Sequence, residues 1–321
     1  MDLAIIFISL LLLMFFAYRG FSLIFIAPIF AVLAAITSDY TSMPVYSELY
    51  MTKAAEYIKS YYPVFLLGAV FAKIREEGGL AASVAAKIVS VLGKELAILA
   101  VLLGCGVLTY GGLSVFVVAF VMYPFAAILF KQADIPKRLL PAILWMGIFT
   151  YSMVSLPGTP QIQNIIPAAV FGTTTWAGIG QGLLASILFF IIAYVWISYR
   201  SKSLKAKGEG YGKHTLNEPE NNNDELPDWR LSSIPLLMVI IINLYVSNPF
   251  NWSWAFHWDQ NSLLAFAPLK LSLIASSVAK VQAIWSINVA LLISSIVAAY
   301  IGRKKLRRLG GVIHPINTGA I

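Results

Sequence analysis

The sequence predicts an all-α protein, a polytopic transmembrane helix bundle with broken, re-entrant helical hairpins. Three observations carry that reading. Hydrophobic residues make up 59% of the 321 residues and charged ones only 12%, about half the charged share of a soluble domain. The runs Leu96–Phe130 and Leu139–Tyr199 contain no Lys, Arg, Asp, Glu or His. Each run is nevertheless interrupted by helix-breaking polar chemistry, Thr109-Tyr-Gly-Gly-Leu-Ser114 in the first and Leu156-Pro-Gly-Thr-Pro-Gln-Ile-Gln-Asn-Ile-Ile-Pro167 in the second. An unpaired backbone group in hydrocarbon costs on the order of several kcal/mol, so such breaks persist only where protein or an aqueous cavity surrounds them.

Taken in order, Leu3–Tyr18 and Phe21–Thr37 form two short apolar spans joined by Arg19-Gly20. Met1–Tyr18 lacks the basic start and small-residue cleavage pattern of a signal peptide, so it is a first membrane helix. Positive-inside logic sets Arg19 in the cytoplasm. Thr41–Lys59 reads as an interfacial helix anchored by Tyr46, Tyr50 and Tyr57. Tyr61–Ala72 continues it to a polar end at Lys73-Ile-Arg-Glu-Glu-Gly-Gly79. Leu80–Leu92 has helical spacing of apolar and small residues and reads as a surface-lying or packing helix.

Leu96–Phe130 then reads as two helices meeting at Gly111-Gly112, with Ser114 capping the second from Val115. Leu139–Ser155 enters the second break and Thr175–Tyr199 leaves it. Basic clusters lie at both ends, so the number of crossings is even and Leu156–Thr174 is re-entrant. Gly178 and Gly182 give the small-xxx-small spacing of tight helix packing. Cys105, the single cysteine, lies in an apolar run and reads as a core residue.

Arg200–Arg230 turns from basic to Asn-rich and acidic, the composition of a flexible linker. Beyond it come a span at Leu231–Val246, an aromatic interfacial loop at Asn248–Asn261, an amphipathic segment at Leu263–Lys280 and a last span at Val281–Ile301. Residues 1–199 thus form a first transmembrane repeat, 200–230 a cytoplasmic polar linker and 231–321 the start of a second repeat. The net charge of +8 falls in clusters between apolar spans, which is the pattern of cytoplasmic loops and not of a nucleic-acid surface.

The breaks are where chemistry is expected. Thr159-Pro160 suits a helix start, with Thr as N-cap and Pro at the first helical position. Its free N–H groups and the helix dipole, roughly half a unit charge, would face a substrate carboxylate, as discontinuous transporter helices do. Gln161, Gln163 and Asn164 offer amide hydrogens to substrate hydroxyls. Tyr110, Gly111, Gly112, Ser114 and Gly158 complete the expected binding surface. No catalytic residue, metal ligand or cofactor is expected, because His214, His257 and His314 all fall outside the spans, and an enzyme is rejected on that ground. The charge-free runs hold no carboxylate, which leaves Glu76, Glu77, the substrate itself or groups outside these runs to carry a coupling proton. Backbone carbonyls at the breaks are the alternative, for sodium.

The pieces Gly68-Ala-Val-Phe-Ala-Lys-Ile-Arg-Glu-Glu-Gly-Gly79, Thr109–Phe120, Ala133-Asp-Ile-Pro-Lys-Arg138 and Leu156–Pro167 together resemble the gluconate permease family of anion–proton symporters. The resemblance implies a multi-pass carrier of the bacterial inner membrane. It would take up a small organic anion such as gluconate or another hydroxy acid, with a proton (or sodium) as coupling ion. Its other partners would be membrane lipid and further copies of itself in a homo-oligomer. The resemblance also implies inverted repeats like those of the ion-transporter superfamily. Family members are longer, and a second polar break is expected beyond Asn317–Ile321, so the second repeat reads as incomplete. A passive anion channel and a non-transporting truncated permease are the competing readings.

Overall fold

The computed structural model describes residues 2–36, 41–214, 218, 226–258, 278–308, 311 and 314–315. Every regular element among the described residues is helical. Five of these helices are long and apolar enough to cross a membrane. A sixth span results if the pair Leu80–Leu92 and Lys94–Tyr110, bent by 100°, is taken as one.

The chain divides into two compact units, Met1–Tyr62 and Pro63–Ile321. In the first, α1 (Asp2–Tyr18) and α2 (Leu23–Ile36) form a hairpin. The Arg19 N–H donates to Phe15 and Phe16, and Gly20 closes the turn at φ +86°. Phe16 packs on Phe21 and Phe30 with ring centres 5.4 and 5.5 Å away. Outward residues such as Ile24 and Phe25 stay exposed, as lipid-facing positions would. A short α3 (Ser42–Pro44) and a π-helical turn (Val45–Tyr50) lead into α4 (Met51–Glu77), which crosses the boundary between the units at Pro63. The expected interfacial helix and Tyr61–Ala72 are therefore one continuous helix from Met51 onward.

The second unit holds the rest of α4 together with α5 (Leu80–Leu92), α6 (Ala97–Tyr110), α7 (Val115–Gln132), α8 (Leu140–Phe149) and α9 (Ile162–Phe171). It continues with α10 (Ile179–Ala206), α11 (Trp229–Ser247) and α12 (Val278–Arg308). Helix α6 lies at its centre, where Val101, Leu102, Cys105 and Leu108 meet Met122 and Phe130 of α7 and Ile143 and Ile148 of α8 in one core. Small residues permit that closeness: Gly147 of α8 lies against Cys105, and Gly106 of α6 against the Tyr151 ring. Burial of Leu80, Ala81, Ser83, Val84 and Ala85 shows α5 to be a packing helix, not a surface one. Helix α12 crosses the end of α4 with Gly302 against Gly78.

Within the 200–230 segment, several of the described residues are docked. Helix α10 runs on to Ala206. Beyond it, the Tyr211 N–H donates to Asp134 Oδ1 at 2.8 Å and Arg138 pairs with Glu209 at 2.6 Å. Glu218 pairs with Lys137 at 2.7 Å and Lys131 at 3.6 Å. Further on, Ser83 Oγ donates to the Pro227 carbonyl at 2.6 Å. Composition favours disorder when a segment is considered alone; Glu209, Tyr211 and Glu218 are held by charged residues at and after the end of α7. The amphipathic Leu263–Lys280 segment lies outside the described residues up to 277, and its last three residues open α12. Asn317–Ile321 also lies outside them.

Candidate functional site

Both expected breaks are present and each turns at a glycine. Helix α6 ends at Tyr110, Gly112 adopts φ +84°, and α7 begins at Val115 behind Ser114, whose side chain makes no capping bond. The second break leaves a π-helical turn (Tyr151–Ser155), passes Gly158 at φ +76° and enters α9. At 10 residues α9 is only ~15 Å long, about half a bilayer core. A side chain would be strained at either glycine, because both have positive φ. A Cβ on Gly158 would enter the Trp176 indole, and one on Gly112 would lie 3.3 Å from Pro160 and 3.4 Å from Phe71.

The two breaks are fastened to each other. Tyr110 donates its hydroxyl to the Pro157 carbonyl at 2.7 Å. Gln161 donates from Nε2 to the Thr109 carbonyl at 2.9 Å and the Leu113 carbonyl at 3.0 Å. Asn164 donates from Nδ2 to the carbonyls of Thr159 (3.1 Å) and Thr175 (2.8 Å), and the Gly158 N–H reaches the same Thr175 oxygen at 2.8 Å. Asn243, fully buried on α11, donates to the Gly158 carbonyl at 3.2 Å and Thr175 Oγ1 at 3.1 Å. Gly182 of α10 seats the same loop against Ser155 and Pro157, a close approach that the small-residue spacing anticipates.

Of the nine residues expected at the site, Tyr110, Gly111, Gly112, Gly158, Thr159, Gln161 and Asn164 lie in this network or at its turns, Ser114 stands half-buried at the start of α7, and Gln163 is exposed. The local details differ from the sequence reading at α9. The helix starts at Ile162 with Gln161, not Thr159, at the N-cap position. Thr159 and Pro160 instead remain before the helix and are buried, because Gly158 turns the chain onto Gly112. Gln161 and Asn164 each direct both amide hydrogens at backbone carbonyls, so what they present elsewhere is an acceptor oxygen.

Sequence reasoning missed Arg75. It is fully buried, donates from Nη1 to the Gly111 carbonyl at 3.3 Å and stands 5.3 Å over the Phe71 ring. Its Nε and Nη2 have no hydrogen-bond partner among the described residues. Burying an unpaired charge costs on the order of several kcal/mol. A signal was available: Phe71, Ile74, Arg75 and Gly78 share one helical face, and all four are buried. The neighbouring Lys73 lies 3.4 Å from Glu76 and 3.6 Å from Glu77 on the other face, where His314 also approaches Glu77 at 3.2 Å. Thr109 Oγ1, Thr159 Oγ1 and Asn243 Oδ1 are further buried polar atoms without a partner among the described residues.

A family description, GntP family permease, matches residues 1–304. An uncharacterized transporter of Bacillus subtilis (strain 168), YxjC, is 42% identical over 308 residues, covering 92% of this chain and 64% of the relative. The chain thus spans somewhat less than two thirds of the length of that relative. No solved structure matches it. The family match takes in both breaks, Arg75 and Asn243, on an all-helical scaffold with several membrane-length helices, and this multi-pass membrane protein belongs to the GntP permease family.

Proposed function

We propose that the chain forms the substrate-handling part of a secondary active transporter of the bacterial inner membrane. It takes up a small organic anion, such as gluconate or another hydroxy acid, by proton symport. The observation that carries this reading is the pair of polar breaks, hydrogen-bonded to each other and each lying inside a charge-free run. Polar groups buried at that density are costly unless they serve a ligand or each other, and several here do both by position. Family membership supports a carrier. Residues 1–199 act as a first repeat, with α11 and α12 opening a second, and Asn243 on α11 already reaches into the break of the first.

The coupling ion is a proton on this reading. A sodium ion at the breaks would need backbone carbonyls, and those of Thr109, Leu113, Pro157, Gly158, Thr159 and Thr175 would have to serve it beside the side-chain donors they already accept. The test is uptake of labelled gluconate by proteoliposomes containing this chain. Saturable accumulation driven by an inward pH gradient is expected. Accumulation driven by sodium alone would overturn the coupling, flux linear in concentration and insensitive to either gradient would indicate a passive channel, and no flux at all would mark the chain as non-transporting.

A further inference from the structure

We infer that Arg75 is the residue that receives the carboxylate of the transported anion, through the Nε–Nη2 edge of its guanidinium. The inference rests on the organic-anion reading above and deepens it. Arginine stays charged in proteins, so burial cannot be relieved by loss of its proton. The bond to Gly111 uses Nη1 alone, and the Phe71 ring centre lies 5.3 Å from Cζ. The two nitrogens without partners among the described residues are those of a single edge, since Nη2 and the Nε hydrogen point the same way. That edge is the parallel fork that matches the two oxygens of a carboxylate.

The position is as informative as the chemistry. Nη1 holds the carbonyl at the tip of the first break, and Phe71, one turn earlier on α4, packs on Gly112, which in turn meets Pro160 of the second break. The cation therefore stands where the two breaks meet, although it comes from neither. Lys73, the other nearby cation of α4, is paired with Glu76 and Glu77, whereas Arg75 pairs with no carboxylate among the described residues. The Thr109 and Thr159 hydroxyls and the Asn243 carbonyl oxygen, also unpartnered there, are suited to the hydroxyl groups of a sugar acid. The ligand class is a hydroxylated monocarboxylate.

The test compares gluconate with its uncharged amide, gluconamide, on the purified chain in lipid nanodiscs, by calorimetric binding and thermal unfolding. Arg75→Met should weaken gluconate binding by about 30-fold or more, as loss of one partner of a buried charge pair does, and should leave gluconamide binding within about two-fold. Without ligand, Arg75→Met removes a buried charge that lacks a carboxylate partner and with it the donor to the Gly111 carbonyl; the two effects oppose, so its unfolding temperature should lie close to that of wild type. Arg75→Lys, which keeps the charge and loses the fork, should also weaken gluconate selectively, and it decides the matter if the methionine variant does not fold. Equal gluconate binding by wild type and either variant overturns the role of Arg75 while leaving the anion reading intact. Equal losses for gluconate and gluconamide, together with earlier unfolding without ligand, mark Arg75 as structural and overturn it too. Wild type that binds no gluconate sinks the anion reading, and this inference with it.

Discussion

Replacing Gln161 with leucine should unfasten the two breaks at a cost that can be worked out bond by bond. The Thr109 carbonyl would keep the Gly112 N–H, at 3.0 Å, and lose one ordinary side-chain hydrogen bond, worth ~1 kcal/mol. The Leu113 carbonyl, on a buried residue, would lose the donor that Gln161 supplies at 3.0 Å, and an orphaned buried acceptor costs ~1–3 kcal/mol. The expected destabilisation is therefore about 2–4 kcal/mol. Urea unfolding in detergent micelles, followed by tryptophan fluorescence, measures it as a lower midpoint at unchanged slope. Tyr110→Phe removes the other direct link, to Pro157, and because both links hold the same two tips the double variant should be non-additive by at least ~0.5 kcal/mol. A Gln161→Leu protein within ~0.5 kcal/mol of wild type, or strict additivity with Tyr110→Phe, would refute the interlock.

Two further perturbations follow from the geometry. Gly158→Ala forces a positive φ on a residue with a side chain and drives that side chain into Trp176; a loss of about 2–3 kcal/mol is expected, whereas Gly180→Ala, with open space around it, should be within ~0.5 kcal/mol of wild type. Both are read by the same unfolding assay. Glu218 has its pKa lowered below the ordinary carboxylate value, first by the hydrogen bond from Lys137 and further by Tyr211 and Lys131. Its docking contribution is therefore complete above that ordinary value and lost as pH falls through the depressed one. Hydrogen exchange across 207–214 should rise at acid pH, and Glu218→Gln should raise it already at pH 7; protection unaffected by either change would mean that the contacts of Tyr211 and Glu209 suffice.

Much of the scaffold could be read from the sequence because membranes impose simple rules. Charge-free runs pointed to the spans, and Gly111-Gly112 and the proline-rich stretch Leu156–Pro167 pointed to the breaks, since glycine and proline so readily end a helix. Ser114 marked the start of α7 to the residue. The start of α9 did not follow the same way. Thr159-Pro160 satisfies the local rules for a helix start, but the turn at Gly158 commits Thr159 and Pro160 to packing against Gly112, and the helix begins two residues later. Arg75 was illegible for a related reason. Lys73-Ile-Arg-Glu-Glu77 looks like a solvated helix end, and what buries Arg75 is a contact with Gly111, distant in the sequence. The docking of Glu209, Tyr211 and Glu218 was hidden likewise, because their partners Lys131, Asp134, Lys137 and Arg138 come from an earlier stretch of the chain.

The bonds from Tyr110 and Gln161 also limit how a carrier built this way can work. Two break tips that share hydrogen bonds between buried groups cannot be pulled apart cheaply on each cycle, because each carbonyl that loses its donor stays unsatisfied until another donor replaces it. Opening the site by parting one tip from the other would break those bonds at every turnover. Displacing the stapled pair as one rigid cargo block, sliding against some other part of the assembly, would break none of them. In such a machine the gate and the vehicle are the same object, and the moving seam lies elsewhere than between the tips.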